Sequence, residues 1–288
     1  LYIAGPGGVK SHQNCVRLFG LQSYYSSKAA SYRKIDLTAL DTTRATSMER
    51  MFAYNDLEEI IFGPKFDTSQ VTNMAYMFEY GSGRALNEDT YISSLDLSAF
   101  DTGKVKSMEG MFYTCNIEEL ILPDGFVGPT TTVCSLMFAS SKTPRIDAST
   151  WHMENVTKIH QMFSSCKTSY LNIRGWDLSS ATDLNGIFSH MWGIQEITGL
   201  STLKASPKDA DQMFYYSNGL TSLELGPDFS MKNATSSRYM FANLKNLTEL
   251  DLSNADFDTQ NVNNMEYMFS ECYKLTTTIN ILNANTTY

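Results

Sequence analysis

The stretch from Leu95 to Phe112 reads LDLSAFDTGKVKSMEGMF and contains the two local patterns that decide the fold. Its first four residues alternate apolar and polar, which is the period of a strand with one buried face. Near its end Met108, Met111 and Phe112 stand at i, i+3 and i+4, so a helix would place all three on one face. Ser107 precedes them and suits a helix cap. We therefore predict a strand followed by a short helix.

Both patterns return along the chain. Each copy of the second pattern ends in a Met-Phe pair or a close substitute. The phenylalanines of these pairs are Phe19, Phe52, Phe78, Phe112, Phe138, Phe163, Phe188, Phe214, Phe241 and Phe269. Successive phenylalanines are mostly 25 to 28 positions apart, and two longer gaps indicate insertions near residues 20–34 and 79–94. One such unit cannot bury its own apolar face, whereas stacked units form a continuous core with parallel strands along one side. We therefore predict an α/β solenoid of about ten strand-and-helix repeats.

This solenoid is expected to occupy residues 1–288 as a single domain. Both ends of the sequence stop within the repeat pattern and show no distinct polar capping segment, although bare strand edges invite pairing with other chains. We therefore expect the natural protein to continue beyond one end or both.

Charge and hydropathy exclude two classes of partner. The formal net charge is -9, and the sequence contains no run of Lys or Arg. Binding to nucleic acid or to an anionic membrane needs a concentrated positive surface, so neither is expected. No stretch approaches the roughly 18 consecutive apolar residues of a membrane helix, so this segment is not expected to insert directly into a membrane.

Cysteine and histidine placement argues against a chemical site. The five cysteines fall on positions of the repeat, and Cys115 and Cys166 are equivalent positions two repeats apart. Their separation is then on the order of 10 Å, beyond the roughly 7 Å limit for a disulfide. We predict buried free thiols, with a disulfide or a metal site as the alternative. His160 near Cys166 is the best metal candidate, but the histidines lack the i, i+4 pairing of a helical zinc site.

The sequence also lacks the motifs of common catalytic sites. It contains neither a Gly-x-Ser-x-Gly nucleophile elbow nor a glycine-rich phosphate loop. We therefore expect no catalytic residue, no metal, no cofactor and no enzyme activity.

Two of the three tryptophans are expected in the core. Trp151 and Trp176 follow their strands by three residues, as Phe100 follows Leu97, so both should occupy the same buried position. Trp192 comes after Phe188 at a loop position. For this residue, packing and contact with a ligand such as a sugar ring are both open.

The outward face of the strands is the remaining candidate for a binding site. In the first half of the chain its central position alternates between acidic residues and isoleucine, in the order Asp36, Ile61, Asp96 and Ile121. Four residues in mid-chain then add cationic and aromatic groups, and they are Arg145, Tyr170, Asn172 and Arg174. Because Arg and Tyr are common interface anchors, we predict a ligand-binding patch here. The alternative is an ordinary solvated sheet face.

Two segments carry a resemblance to a known family. Residues 66–78 read FDTSQVTNMAYMF, and residues 252–269 read LSNADFDTQNVNNMEYMF. Both resemble the repeat of BspA-like leucine-rich-repeat surface proteins, a variant also abundant in mycoplasma lipoproteins. The likeness extends over nearly the whole chain and departs from the pattern at residues 181–188 and 205–214. It implies a right-handed leucine-rich-repeat-like solenoid and a secreted or surface-anchored bacterial protein, and it transfers no catalytic residue.

Two functional hypotheses follow. The favoured one is a bacterial cell-surface or extracellular adhesion module that binds a host or microbial surface or matrix protein, with a glycan as a further ligand class. It would use the strand face and the loops inserted near Gln22 and Tyr80. The alternative is a structural spacer that presents another domain and binds nothing itself.

Overall fold

The computed structural model describes residues 1–2, 8–22, 31–82, 91–276 and 279. The chain divides into two compact units, Leu1–Pro144 and Arg145–Tyr288, which we call unit 1 and unit 2. In the described part of each unit, short parallel strands recur at the repeat spacing and the connections between them are turns. Each unit is therefore built as a β-solenoid, and we call one of its repeats a rung.

The strands are short and all pair in parallel. In unit 1 they are β1 (Val9–Lys10), β2 (Lys34–Leu37), β3 (Leu40–Asp41), β4 (Glu59–Phe62), β5 (Leu95–Asp96) and β6 (Leu120–Ile121). In unit 2 they are β7 (Arg145–Asp147), β8 (Tyr170–Asn172), β9 (Ile197–Thr198), β10 (Ser222–Glu224) and β11 (Glu249–Asp251). The sheets are β1-β3, β2-β4, β5-β6, β7-β8-β9 and β10-β11. A 3-10 turn at Leu200–Thr202 is the helical segment among the described residues.

Strand burial follows the alternation seen in the sequence. In β2, Ile35 and Leu37 are buried whereas Asp36 lies between them at the surface, because successive side chains of a strand point to opposite faces. Asp36 pairs in register with Ile61, as predicted. Isolated parallel bridges form a further ladder, which in unit 1 runs from Asn14 through Ser47, Asn73 and Ser107 to Val133.

The repeated phenylalanines form the interior of both units, as predicted. In unit 1 the ring centroids are 5.7 Å apart for Phe19 and Phe52, 5.3 Å for Phe52 and Phe78, 5.7 Å for Phe78 and Phe112, and 4.9 Å for Phe112 and Phe138. In unit 2 they are 6.1 Å apart for Phe163 and Phe188, 5.6 Å for Phe188 and Phe214, 5.7 Å for Phe214 and Phe241, and 5.5 Å for Phe241 and Phe269. Such ring pairs contribute about 0.5–1.5 kcal/mol each beyond the area they bury.

The prediction of a helix in each repeat is wrong, and so is the predicted α/β, leucine-rich-repeat-like fold class. In a helix the amide of Phe112 would donate to the carbonyl of Met108, four residues earlier. It donates instead to Met137 of the next rung at 2.8 Å, and the amide of Gly110 donates to Ser135 at 2.9 Å. Between these bonds the amide of Met111 donates to Met108, three residues earlier, at 3.1 Å. The segment is therefore a chain of turns joined to the next rung.

Left-handed residues spaced four apart interrupt these segments, and a helix has no such residues. In the second rung Arg50 and Tyr54 have φ of 52° and 62°, a region in which an L-residue is disfavoured by roughly 1–2 kcal/mol. The side chains of Met48, Met51 and Phe52 nevertheless all reach the core. The i, i+3, i+4 pattern thus correctly predicts which side chains are buried, although the backbone between them is not a helix.

The predicted cap keeps its local role without a helix. The hydroxyl of Ser107 accepts a hydrogen bond from the amide of Glu109 at 3.4 Å, and the side-chain oxygen of Asn73 accepts one from Ala75 at 2.9 Å. These side chains begin the turns, as Ser and Asn commonly do.

Several other predictions can be placed on this fold. Trp151 and Trp176 are buried, as predicted. The cysteines are free thiols, as predicted, and all are buried except Cys272, which is half-buried. About half of each insertion near residues 20–34 and 79–94 lies outside the described residues, as does most of the predicted strand from Ile279 to Ile281.

Candidate binding surface

Acidic residues at the strand ends stabilise turns. Oδ1 of Asp96 accepts a hydrogen bond from the amide of Ser98 at 2.9 Å, and Oδ1 of Asp251 accepts one from Ser253 at 2.8 Å. Hydrogen bonds from the Ser98 side chain and amide hold the pKa of Asp96 below its usual value. These carboxylates are therefore engaged by the chain itself, even though they lie on the outward face.

Two of the predicted site residues form a cationic and aromatic pair in unit 2. Arg145 in β7 and Tyr170 in β8 are partners in the parallel register. The guanidinium carbon of Arg145 lies 3.6 Å from the ring centroid of Tyr170. Arg145 is exposed and Tyr170 is half-buried. At an exposed site such a pair is worth about 0.5–1 kcal/mol, so it holds both groups in place while they remain accessible.

The other two predicted residues differ in what they can offer a ligand. Nδ2 of Asn172 donates to Oδ1 of Asp147 at 3.0 Å, and Oδ1 of Asn172 accepts from the amide of Arg174 at 3.1 Å. Asn172 is therefore used within the protein and positions the strand end. Arg174 follows β8 with an exposed side chain, so its charge adds to that of Arg145. We call Arg145, Tyr170, Asn172 and Arg174 the ladder patch.

A glycine on the next rung lies against the backbone of Arg174. Gly199 has φ of 95°, and a Cβ there would lie 2.5 Å from the Arg174 backbone nitrogen and Cα. Only glycine avoids both the steric contact and the unfavourable φ at this position. A 3-10 turn follows Gly199 directly after β9, and β9 and β10 belong to different sheets.

An acidic groove lies where the ladder is interrupted in unit 2. Its volume is about 230 Å³, and β9, β10, β11 and the 3-10 turn line it. The carboxylates along it are Glu196, Glu224, Glu249 and Asp251. Since β8 pairs with β9, which lines the groove, the outward face of unit 2 carries cationic groups on β7 and β8 and anionic groups next to them.

Sequence analysis did not identify this acidic groove. Two of its carboxylates, Glu224 in β10 and Asp251 in β11, are in-register partners. The signal that was present is an acidic residue just before β9, Glu196, followed by acidic residues within β10 and β11. β9 and β10 lie in different sheets, and β9 is followed by the turn at Leu200–Thr202, which the repeat pattern does not predict.

A polar cluster in unit 1 was also missed, and its contacts are internal. Nε of Arg50 lies 3.1 Å from Glu79, and the hydroxyl of Tyr54 donates to Glu79 at 3.0 Å. The guanidinium carbon of Arg50 lies 4.2 Å from the ring centroid of Tyr76, whose hydroxyl donates to Glu109 at 2.8 Å. The Glu79 side chain is 8% exposed, so this cluster stabilises the rungs and offers little to a ligand.

Trp192 is the exposed tryptophan. It is 50% exposed, and the ring of His190 meets it edge-on at 6.1 Å. Burial lowers the pKa of His190, which disfavours its charged form. Trp192 thus lies at the surface and remains open to contact with a ligand.

The described residues contain no group of three or more His, Cys, Asp or Glu side chains that could hold a metal ion. In the same part of the chain no helix has the length and hydropathy needed to cross a membrane.

Comparison with known proteins gives a family for the chain. The model of the family described as Mycoplasma protein of unknown function, DUF285, matches residues 21–119, 132–250 and 208–287. Neither the curated proteins nor the solved structures gave a match. Because the matched segments cover well over half of the sequence and contain the repeated Met-Phe phrases, the chain belongs to the DUF285 family.

Proposed function

We propose that this chain is an adhesion module of a bacterial cell surface or its exterior, and that the outward face of unit 2 binds a protein. The observation that carries the proposal is the exposed Arg145 held over Tyr170 at 3.6 Å, beside a groove lined by carboxylates. Arg and Tyr anchor many protein interfaces. The mycoplasma family and the resemblance to BspA-like surface repeats support a location on or outside the cell.

The charge arrangement indicates the chemistry of the partner. A surface that complements this face presents acidic groups toward Arg145 and Arg174, and basic groups toward the groove at Glu224 and Glu249. Complementary charges guide association and select among partners. A host or microbial surface or matrix protein with both kinds of charge fits this description, and an acidic glycan would satisfy only the cationic half. The proposed module has no catalytic role and no cofactor.

The test is a charge reversal of the ladder patch. Arg145→Glu with Arg174→Glu should weaken adhesion of the chain to host cells or to a coated matrix extract by about tenfold or more, since interface anchors each contribute on the order of 1–2 kcal/mol. Lys158→Glu with Lys232→Glu makes the same change in net charge at exposed positions of unit 2 and should leave adhesion unchanged. Equal adhesion of the two double variants would remove the ladder patch from the interface.

A spacer that binds nothing is the second candidate, and one observation favours it. The outward Asp96, Asp147 and Asn172 are all occupied by hydrogen bonds within the chain, so turn formation alone explains them. The adhesion assay separates the two functions, because a spacer would bind neither cells nor matrix in any variant.

A further inference from the structure

Four consecutive rungs of unit 1 carry a second outward face, on the segment that precedes each Met-Phe pair. In Gln70, Val71 and Thr72 the valine is buried and both polar neighbours are exposed. The other three rungs repeat this pattern around a buried Ala, Val or Thr. Burial with period two is typical of a strand with one face in the core. We call the outward residues the polar array, and they are Arg44, Thr46, Gln70, Thr72, Lys104, Lys106, Thr130 and Thr132. All are exposed except Thr132, which is half-buried.

Backbone hydrogen bonds join the polar array from rung to rung. The amide of Thr72 donates to the carbonyl of Thr46 at 2.8 Å, and the amide of Lys106 donates to the carbonyl of Thr72 at 2.9 Å. The amide of Thr132 donates in turn to the carbonyl of Lys106 at 2.9 Å. Neighbouring strands of such a ladder are about 4.8 Å apart. The polar array therefore presents its side chains in two files that repeat at this spacing.

The polar array is cationic, although the whole chain has a formal net charge of -9. It contains Arg44, Lys104 and Lys106 and no Asp or Glu. Nζ of Lys104 donates to the amide oxygen of Gln70 at 2.7 Å, and this neutral partner leaves the charge of the lysine uncompensated. Within the part of the chain that the structure describes, neither Arg44 nor Lys106 forms an ion pair. The array thus offers three positive charges to a ligand.

Acidic residues border the polar array on both sides. Asp67 and Asp101 come three residues before an array position, and Glu49 and Glu109 come three residues after one. Each of these carboxylates accepts a hydrogen bond from another group of the chain. Like charges repel, so these borders disfavour an anion that spreads across the face. An anionic ligand that fits is therefore narrow and extends along the files.

We propose that the polar array binds an acidic linear polysaccharide, meaning a sugar chain that carries carboxylate or sulfate groups. Its anionic groups pair with Arg44, Lys104 and Lys106, and its hydroxyl groups form hydrogen bonds with the threonine hydroxyls beside them. A linear polymer matches a site that repeats from rung to rung. This site lies on unit 1 and does not depend on the function proposed for the outward face of unit 2.

The composition of the polar array favours a polysaccharide over a nucleic acid. Proteins that bind single-stranded nucleic acid combine a positive groove with aromatic side chains on which the bases stack. The polar array contains no aromatic residue. Duplex DNA requires a broad positive surface, whereas the positive charge here lies between two acidic borders. Hydroxyl and amide side chains next to a few cations suit a ligand that has both hydroxyl and anionic groups.

Binding of the 288-residue chain to immobilised heparin and hyaluronan tests the proposal, with neutral dextran as the blank. The wild type should bind at low salt and release as the salt concentration rises, because ions screen exposed charges. Lys104→Gln with Lys106→Gln should weaken binding by about tenfold or more. Thr72→Lys adds a cation between Thr46 and Lys106 in the same file and should strengthen binding by about fivefold. This gain cannot result from misfolding.

Two control variants locate the site. Arg33→Gln with Lys34→Gln removes the same charge from exposed positions beside strand β2 and should bind like the wild type. Arg145→Glu with Arg174→Glu changes the face of unit 2 and should also leave binding to heparin unchanged. A wild type that binds neither polysaccharide would overturn the proposal. So would equal binding by the array variant and the Arg33 control, a loss confined to the unit 2 variant, or binding to single-stranded oligothymidine as tight as to heparin.

Discussion

Gly110 and Tyr76 occupy neighbouring rungs of unit 1, and the tyrosine ring fills the space beside the glycine. A Cβ on Gly110 would lie 2.3 Å from Cε1 of Tyr76, and the glycine has φ of 54°. Gly110→Ala therefore combines a steric overlap with an unfavourable backbone conformation. We expect it to lower the free energy of unfolding by about 2 kcal/mol or more, measured by urea denaturation.

Gly175→Ala is the matched control for this prediction. Gly175 has φ of 80°, and a Cβ there would have no neighbour within 4 Å, so only the backbone conformation is penalised. Its loss of stability should be smaller, about 1 kcal/mol. Equal losses in the two variants would show that the Tyr76 ring moves away without cost and that the close packing of these rungs contributes little.

At the scale of single elements, the strand ends depend on ionised aspartates. Hydrogen bonds from the Ser98 side chain and amide lower the pKa of Asp96, and those from Ser253 lower the pKa of Asp251. A carboxyl whose folded pKa lies below its unfolded value of about 3.9 stabilises the fold above that pH. This stabilisation is lost as the pH falls through the folded pKa.

We therefore expect the chain to lose stability when the pH is lowered from about 7 to about 3. The double variant Asp96→Asn with Asp251→Asn keeps the acceptor oxygens but cannot titrate, so it should lose less stability over this range. Chemical denaturation at both pH values measures the difference. Burial raises the pKa of Asp209, so the Asp209 carboxyl favours the folded state more as the pH falls. Asp209 is not substituted in the double variant. An identical loss in the variant and the wild type would mean that these turns do not need the charged form.

Strands were predictable from the sequence and the turns between them were not. Alternation in a stretch such as Ile35-Asp36-Leu37 fixes which side chains are buried, and this is a local property. The positions of Met108, Met111 and Phe112 fit both a helix and the observed turns, because both bring these side chains to one side. A helix forms if the backbone amides donate within the same segment, and the observed turns form if they donate to the next rung. The sequence of a single repeat does not distinguish these two outcomes.

At the scale of the whole molecule, the repeat period was enough to predict the interior spine of Met and Phe side chains and the in-register neighbours on the ladder. In the structure Arg145 and Tyr170 are in-register partners on that ladder. The repeat period did not reveal the hydrogen bond between Asn172 and Asp147. The spacing of Asp147 and Ser149 did indicate that the Asp147 side chain caps a turn. The acidic groove was missed because it depends on an interruption of the repeat.

Hydrogen bonding between rungs is the central claim, and the amide of Phe188 tests it most directly. This amide donates to the carbonyl of Met213 at 2.9 Å, whereas a helix would pair it with Leu184. The protein labelled with ¹⁵N-phenylalanine and with ¹³C-carbonyl methionine should show a coupling across the hydrogen bond from Phe188 to a methionine carbonyl. Since Ile187 precedes Phe188, no covalent neighbour produces that signal. The signal should disappear in Met213→Leu. Its absence from the wild type, with a coupling to Leu184 in a leucine-labelled sample, would contradict the solenoid described here.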